Sequence, residues 1–173
     1  VIGLPPTLDE QRGFHEVYHG ESPERAVQLA LDDLFGRKEF GEKWARHWLD
    51  VARYADSNGN DFNLTYQEAW RYRNYVIHAL NDDLPYDQFL QEQIAGDLLP
   101  YDTIEQRNRQ LVATTFLMVG PKMLTERDKE KMRLDIADEQ LDTISRVTMG
   151  LTLGCARCHD HKFDPIPTVD YYA

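Results

Sequence analysis

The sequence predicts an all-α domain, an irregular bundle of about seven helices with a C-x-x-C-H motif near its C-terminus. Apolar residues recur every three or four positions through most of the chain, which is the spacing of a helix face. Helix start and stop signals separate these stretches, and we find no sustained alternation of apolar and polar residues that would predict a strand. We expect residues 1–173 to form a single domain, because a chain of this length can bury its own core.

The first two helices are predicted from their start signals. Thr7 can cap a helix over 8–18, and Glu10 stands where a capping box needs a carboxylate. Ser22 followed by Pro23 is a cap with proline at the first helical position, which predicts the start of a second helix.

A third helix is predicted over 40–56, where steps of three and four residues form one apolar stripe. The stripe consists of Phe40, Trp44, His47, Trp48, Val51 and Ala55. Because His47 belongs to this stripe, we expect its ring to lie among apolar side chains. A turn-rich loop over 56–61 follows, since Asp, Ser, Asn and Gly favour local hydrogen bonds there.

Helical spacing predicts three further helices over 66–80, 86–98 and 103–119. Pro85 and Pro100 separate them, because proline cannot continue a helix. The second half of the last of these helices is apolar on nearly all sides, which is typical of a buried helix.

A long, heavily charged helix is predicted over 125–149. Its carboxylates recur at steps of three and four and therefore share a face: Asp135, Asp138, Glu139 and Asp142. The simpler interpretation is a solvated face, partly offset by Arg133 and Arg146. The alternative is a cation site or an acid/base pair.

The motif that follows this helix carries the most specific chemistry. Cys155, Cys158 and His159 have the C-x-x-C-H spacing at which haem c is attached. Two thiols on one helical turn can add to two vinyl groups on the same edge of a porphyrin, and the histidine can then supply the proximal ligand. Arg157 lies between the cysteines and belongs to the same candidate cofactor site.

Other interpretations of the two cysteines stay open. A thioredoxin-type redox pair normally opens a helix after a strand, whereas this motif follows a long helix. A structural zinc site would use Cys155, Cys158 and His159 or His161 with one distant residue, but the chain has no second ligand cluster. Two buried structural thiols beside an incidental histidine form the least specific alternative.

The sixth iron ligand, if haem is bound, is predicted to be His47 or to be absent. An open sixth position would favour small-molecule or peroxide chemistry over electron transfer alone. His161 lies too close to the proximal ligand to reach the opposite haem face, so it is a candidate for a second metal or for solvent exposure. Four methionines are weaker candidates, because methionine commonly fills cores: Met118, Met123, Met132 and Met149.

Composition narrows the classes of partner. The net charge of −11 argues against nucleic acid and anionic membranes, since both bind cationic surfaces, and it suits a cationic partner or a protein that simply stays dispersed. No apolar run is long enough to predict a membrane span. The segment starts without an initiator methionine or a signal peptide, so we expect it to be cut out of a longer protein, with any targeting signal outside residues 1–173.

The stretch 150–166 reads G-L-T-L-G-C-A-R-C-H-D-H-K-F-D-P-I and closely resembles the planctomycete-type cytochrome c-like domains of the second type, a family of domains of unknown function. Further matching stretches extend the resemblance over almost the whole chain: 3–7, 44–50, 53–56, 70–73, 83–87 and 92–97. The resemblance implies an exported, extracytoplasmic protein that serves polysaccharide breakdown and usually continues into another domain. It implies no particular reaction.

Two functions follow as expectations. The first is covalent haem c binding for electron transfer or redox chemistry, with a redox protein or the following domain as partner. The alternative is a zinc-type, metal-stabilised module without haem in a carbohydrate-processing protein. A polysaccharide hydrolase or lyase ranks last, because the sequence offers no defined acid/base pair. Several arginines interleaved with aromatic residues suit haem propionates, sugar hydroxyls or surface salt bridges equally: Arg46, Arg53, Arg71 and Arg73.

Overall fold

A computed structural model describes residues 1–59 and 64–173. Within these residues the protein has eight α-helices and two short 3-10 helices, and it has no strand beyond an isolated bridge between Ser57 and Thr65. The helices are Leu8–Gly20 (α1), Pro23–Phe35 (α2), Lys38–Val51 (α3), Ala69–Asn81 (α4), Tyr86–Ala95 (α5), Ile104–Ala113 (α6), Lys129–Met149 (α7) and Thr168–Tyr171 (α8). The predicted all-α class is confirmed.

The caps of α1 and α2 form as the sequence predicts. The amide of Glu10 donates to Oγ1 of Thr7 at 3.3 Å, and the Glu10 side chain accepts from the Thr7 amide, which completes the capping box. Oγ of Ser22 accepts from the amide of Arg25 at 3.1 Å, with Pro23 at the first helical position. Each cap satisfies a backbone donor that the helix itself leaves free.

The apolar core lies among α3, α4, α5 and the end of α6. Its largest members are aromatic: Trp48, Tyr72, Tyr75, Phe89 and Phe116. Small residues bring α3 and α4 close together. A Cβ at Gly41 would lie 2.5 Å from the carbonyl oxygen of Ile77, so only glycine permits this approach.

The predicted face and end of the third helix are wrong. Its buried face is formed by Gly41 and Ala45, whereas Trp44 is 45% exposed and His47 is exposed. The apolar stripe misleads because the tight contact with α4 selects the small side chains, which lie one position further along the helix. The large aromatic side chains of the stripe are therefore divided between core and surface.

The same helix ends at Val51 rather than near residue 56. The amide of Tyr54 donates to the carbonyl of Leu49 at 2.9 Å and that of Arg53 to Asp50 at 3.2 Å, which is the Schellman pattern. Arg53 adopts the left-handed conformation with φ of 56°. Glycine normally marks this position, so the sequence gives no stop signal here. Residues 60 and 61 of the predicted loop lie outside the described part of the chain.

The remaining boundaries differ by a few residues. The last turn predicted for the sixth helix is a separate 3-10 helix, Thr114–Leu117, after α6. The seventh helix begins at Lys129 because Oδ1 of Asp128 accepts from the amides of Glu130 and Lys131. The short helix α8 is one helix more than the predicted number of about seven.

Candidate functional site

The cysteine motif lies on a 3-10 helix, Leu153–Arg157, that follows the end of α7. Gly150 ends α7 in the left-handed conformation, with φ of 67°, and reverses the chain toward this helix. The amide of Cys158 donates to the carbonyl of Cys155 at 3.4 Å. The two cysteines are therefore separated by one turn, and we call residues 155–161 the cysteine–histidine turn.

The residues between the two cysteines anchor this turn. Ala156 is fully buried. Arg157 extends back to α7, where Nη1 donates to Oδ2 of Asp138 at 2.8 Å and Nη2 to Oδ1 of Asp135 at 3.4 Å. The hydroxyl of Tyr172 donates to the carbonyl of Arg157 at 3.0 Å. Arg157 thus holds the turn against α7 and α8.

The three chemically reactive side chains of the motif are all exposed. Cys155 and Cys158 are free, exposed thiols, and His159 is exposed beside them. The residues of the motif therefore have two different roles. The intervening residues Ala156 and Arg157 fix the backbone, while the thiols and the imidazole face outward.

The hydrogen bond of His159 defines its free nitrogen. Its Nδ1 lies 2.8 Å from the carbonyl oxygen of Asp160. A carbonyl oxygen can only accept, so Nδ1 carries the proton and Nε2 of the neutral ring keeps its lone pair. A histidine that ligates a metal commonly donates its other ring nitrogen to a carbonyl in this way.

His161 has a different role in the same turn. Its side chain is only 7% exposed, and its Nδ1 accepts from the amide of Asp164 at 2.9 Å. The backbone amide of His161 also donates to the carbonyl of Ile166 at 2.9 Å. A carboxylate oxygen of Asp164 lies 3.2 Å from the same Nδ1, but a nitrogen that accepts from an amide has no proton for it. His161 therefore braces the loop that follows the motif.

His47 is not where the sequence predicts it, because it lies on the outer surface of α3. Its ring is 5.4 Å from that of Trp44, whose indole donates to the carbonyl of Val1 at 3.1 Å. Within the described residues, no hydrogen bond, ion pair or ring contact joins His47 to the cysteine–histidine turn. The structure does not bring this candidate ligand together with the motif.

The four methionine candidates are not core residues. Met118, Met123 and Met149 are exposed. Met132 and Met123 line a small cavity of about 180 Å³ beside Asp135, together with Lys122 and Glu139.

The carboxylates of α7 are paired with cationic side chains, and the pair of Glu139 with Lys122 is the most buried of them. Glu139 binds both Arg53 and Lys122, and the side chain of Lys122 is 1% exposed. Arg53 also donates to Oγ1 of Thr143. Burial lowers the pKa of Lys122, and its hydrogen bond to Glu139 opposes that shift.

The other carboxylates of this face also have cationic partners. Asp142 pairs with Arg146 at 2.8 Å, as the sequence predicts, and Asp135 pairs with Lys131 at 2.6 Å. The hydrogen bond from Lys131 lowers the pKa of Asp135, and a smaller effect of Arg157 acts in the same direction. Arg133 does not join the face, because it pairs with Glu130 at 2.7 Å.

Sequence reasoning missed two residues that organise this region, Lys122 and Tyr171. The hydroxyl of Tyr171 donates to Oδ1 of Asp138, the carboxylate that also holds Arg157. Burial and this hydrogen bond raise the pKa of Tyr171. Both residues act through partners that lie far away in the sequence, so no local pattern marks them.

Among the described residues, no group of three or more histidine, cysteine, aspartate or glutamate side chains is arranged to hold a metal ion. None of the described helices is long and apolar enough to cross a membrane.

These observations define a helical domain whose conspicuous surface feature is an anchored turn with two free thiols and an imidazole. Over residues 1–173 the chain matches the model of the PSCyt2 family, described as proteins of unknown function (DUF1549), and it belongs to that family. Comparison with curated proteins and with solved structures gave no match.

Proposed function

We propose that the domain binds haem c covalently at the cysteine–histidine turn and serves electron transfer or redox chemistry. Cys155 and Cys158 would form the two thioethers, and Nε2 of His159 would supply the proximal ligand. The observation that carries the proposal is the hydrogen bond from Nδ1 of His159 to the Asp160 carbonyl, which leaves Nε2 free for iron.

The surroundings of the motif suit such a group. Both thiols are exposed, so a porphyrin can approach them without unfolding the domain. The pair Arg157–Asp138 keeps the backbone of the turn in place during this approach. When bound, haem would supply reversible one-electron chemistry.

Attachment is an addition in which no atom is lost. Each S–H adds across one vinyl group, so that a sulfur–carbon bond forms and the proton moves to the neighbouring vinyl carbon. Two thioethers therefore add the full mass of one haem to the chain. No external oxidant or reductant is consumed in this step.

The test is expression in a host with haem-maturation machinery. We expect a Soret band and a mass increase of one haem that survives denaturation. The double variant Cys155→Ala/Cys158→Ala should lose the covalent mass. The variant His159→Gln should keep the mass but change the spectrum of the iron, whereas His161→Gln should leave that spectrum unchanged. A colourless wild-type product under these conditions would contradict the proposal.

The same preparation distinguishes the alternative of a zinc-type module. If elemental analysis finds stoichiometric zinc and no iron, the proposal of haem binding is replaced by that of a metal-stabilised module with zinc at Cys155, Cys158 and His159. Stoichiometric iron with the covalent mass supports haem.

We further propose that the sixth iron position is open. His47 is exposed and lies against Trp44, which supports an open sixth position over ligation by His47. Carbon monoxide should then bind the reduced protein readily, and His47→Ala should not alter the spectrum before or after this addition. A shift of the wild-type spectrum on replacing His47 would show that it ligates.

The cellular setting forms part of the same proposal. Attachment of haem c follows export, so we place the domain outside the cytoplasm, in a protein that serves polysaccharide breakdown. Its electron partner would be a cationic redox protein or a following domain of the same chain, because the domain carries a net charge of −11. Crosslinking of the full-length protein with zero-length reagents would identify that partner.

A further inference from the structure

A cavity of about 810 Å³ lies between the N-terminal segment, α1 and α2. Its walls are mostly apolar and include Ile2, Leu4, Phe14, Leu29 and Leu34. Cavities that bind small organic molecules commonly measure about 300–1,000 Å³ and have walls of this kind. We call it the α1–α2 cavity.

The apolar sides of the two helices have little protein against them. None of the residues of α1, all of which are described, is buried, and Ala26 is the buried residue of α2. Leu4 is 60% exposed at the cavity, and Phe14 and Leu29 are also exposed there. The cavity can therefore be entered from solvent, and its walls keep apolar surface that a ligand would cover.

Gly13 keeps part of the cavity wall open. Glycine inside a helix costs about 1 kcal/mol relative to alanine, so a structural reason is expected for it. At Gly41 and Gly96 the reason is steric, because a Cβ would lie 2.5 Å from the Ile77 carbonyl oxygen or 2.3 Å from that of Gln110. At Gly13 a Cβ would have nothing within 4 Å. Gly13 lies on the wall of the cavity, so its missing side chain preserves empty space.

The charges at the cavity favour an uncharged ligand. Arg37 lies between Glu10 and Asp33 and pairs with both. Glu10 also accepts from the amide of Thr7, so both of its oxygens are used. A charged ligand would have to replace these internal pairs, whereas an apolar one leaves them intact.

We propose that the α1–α2 cavity binds one uncharged, predominantly apolar molecule, such as a lipid chain or an aromatic lipophile. The occupant covers Phe14 and Leu29 and fills the space next to Gly13. This site is separate from the cysteine–histidine turn and does not depend on haem binding.

The test uses N-phenyl-1-naphthylamine, an uncharged fluorescent probe. We expect one probe per chain, with enhanced and blue-shifted fluorescence. Gly13→Phe should weaken binding at least about tenfold, because the ring occupies the space of the ligand. The matched control is Gly20→Phe, which adds the same side chain to α1 in open space away from the cavity. It should bind the probe like the wild type.

Further arms keep the result unambiguous. Circular dichroism should show that both variants are folded. If Gly13→Phe does not fold, Ala30→Phe replaces it, because this side chain fills the same cavity from α2. The anionic analogue 1-anilinonaphthalene-8-sulfonate should bind more weakly than the neutral probe. Equal loss of binding in both glycine variants, unchanged binding in Gly13→Phe, or no binding by the wild type would overturn the proposal. So would a wild-type dimer in sedimentation that Gly13→Phe converts to monomer.

Discussion

The central bundle and the C-terminal arm of this domain differ in how much of their contact is apolar and how much is made by ion pairs. In the bundle, α3 to α6 enclose aromatic side chains such as Tyr72 and Phe116, both almost fully buried. In the arm, which comprises α7, the cysteine–histidine turn and α8, the buried residues of the long helix are Thr143 and Ser145. The arm contacts the bundle through Ile144 and Val147, which pack against the apolar core, and through the Arg53–Glu139 and Lys122–Glu139 pairs.

This difference concerns the region of the protein on which the reactive turn lies. Apolar packing gives most of the stability of a domain, and it does not depend on the protonation of a side chain. Ion pairs depend on a few groups whose loss leaves a buried charge. The chemically reactive turn lies on the region in which ion pairs, such as Arg157–Asp138, add to the apolar contacts.

The largest effect is expected in the bundle. Phe116→Ala removes an aromatic ring that is 3% exposed, and we expect a loss of about 3–5 kcal/mol in the free energy of unfolding. Urea unfolding followed by circular dichroism measures this loss. Leu98→Ala, at a highly exposed position, serves as the control and should change stability by less than about 0.5 kcal/mol. Equal losses in both variants would contradict the assignment of the core.

A smaller effect, confined to the arm, is expected from Glu139→Gln. The variant leaves the buried ammonium of Lys122 without its carboxylate, which should cost about 2–4 kcal/mol. Hydrogen exchange should accelerate in α7 and the cysteine–histidine turn more than in α4. The double variant Glu139→Gln/Lys122→Met should recover part of the loss, because no unpaired lysine remains. If the double variant is no more stable than Glu139→Gln, the pair does not hold the arm.

The contrast between bundle and arm also explains what the sequence could predict. Local signals were sufficient for the caps at Thr7 and Ser22, because a cap depends on residues within one turn. The end of α3 was missed since Arg53 occupies a left-handed position that glycine usually marks. Its buried face was missed because close packing against α4 selects Ala45 over the larger Trp44.

For the candidate site, the sequence identified the reactive residues but not their supports. The spacing of Cys155, Cys158 and His159 is local and therefore visible in the chain. The supports of the turn come from distant positions, such as Asp138 for Arg157 and Tyr171 for Asp138. Such pairs require the tertiary structure, because one carboxylate on a charged helix resembles any other.

The support of the turn can be tested by Asp138→Asn. The variant removes the charge that Arg157 contacts at 2.8 Å, and we expect a local loss of about 1 kcal/mol. The rate of alkylation of Cys158 by iodoacetamide should change, and hydrogen exchange should accelerate in residues 153–158. Asp142→Asn is the control on the same helix, since Asp142 pairs with Arg146 instead. A larger change in the control would show that Arg157 does not depend on Asp138.

The smallest effect is expected in the N-terminal helices α1 and α2 when the pH is lowered. Hydrogen bonds from Thr7 and the neighbouring Arg37 lower the pKa of Glu10 from 4.5 to about 2. A carboxylate with a lowered pKa stabilises the folded state above its unfolded pKa, and this contribution is lost as the pH falls from 4.5 toward 2. The protection factors of the α1 amides against hydrogen exchange should therefore fall in that interval before those of α4 do. Glu10→Gln should abolish this difference between the helices, because glutamine does not titrate. If the variant keeps the same acid dependence, another carboxylate governs the attachment of α1.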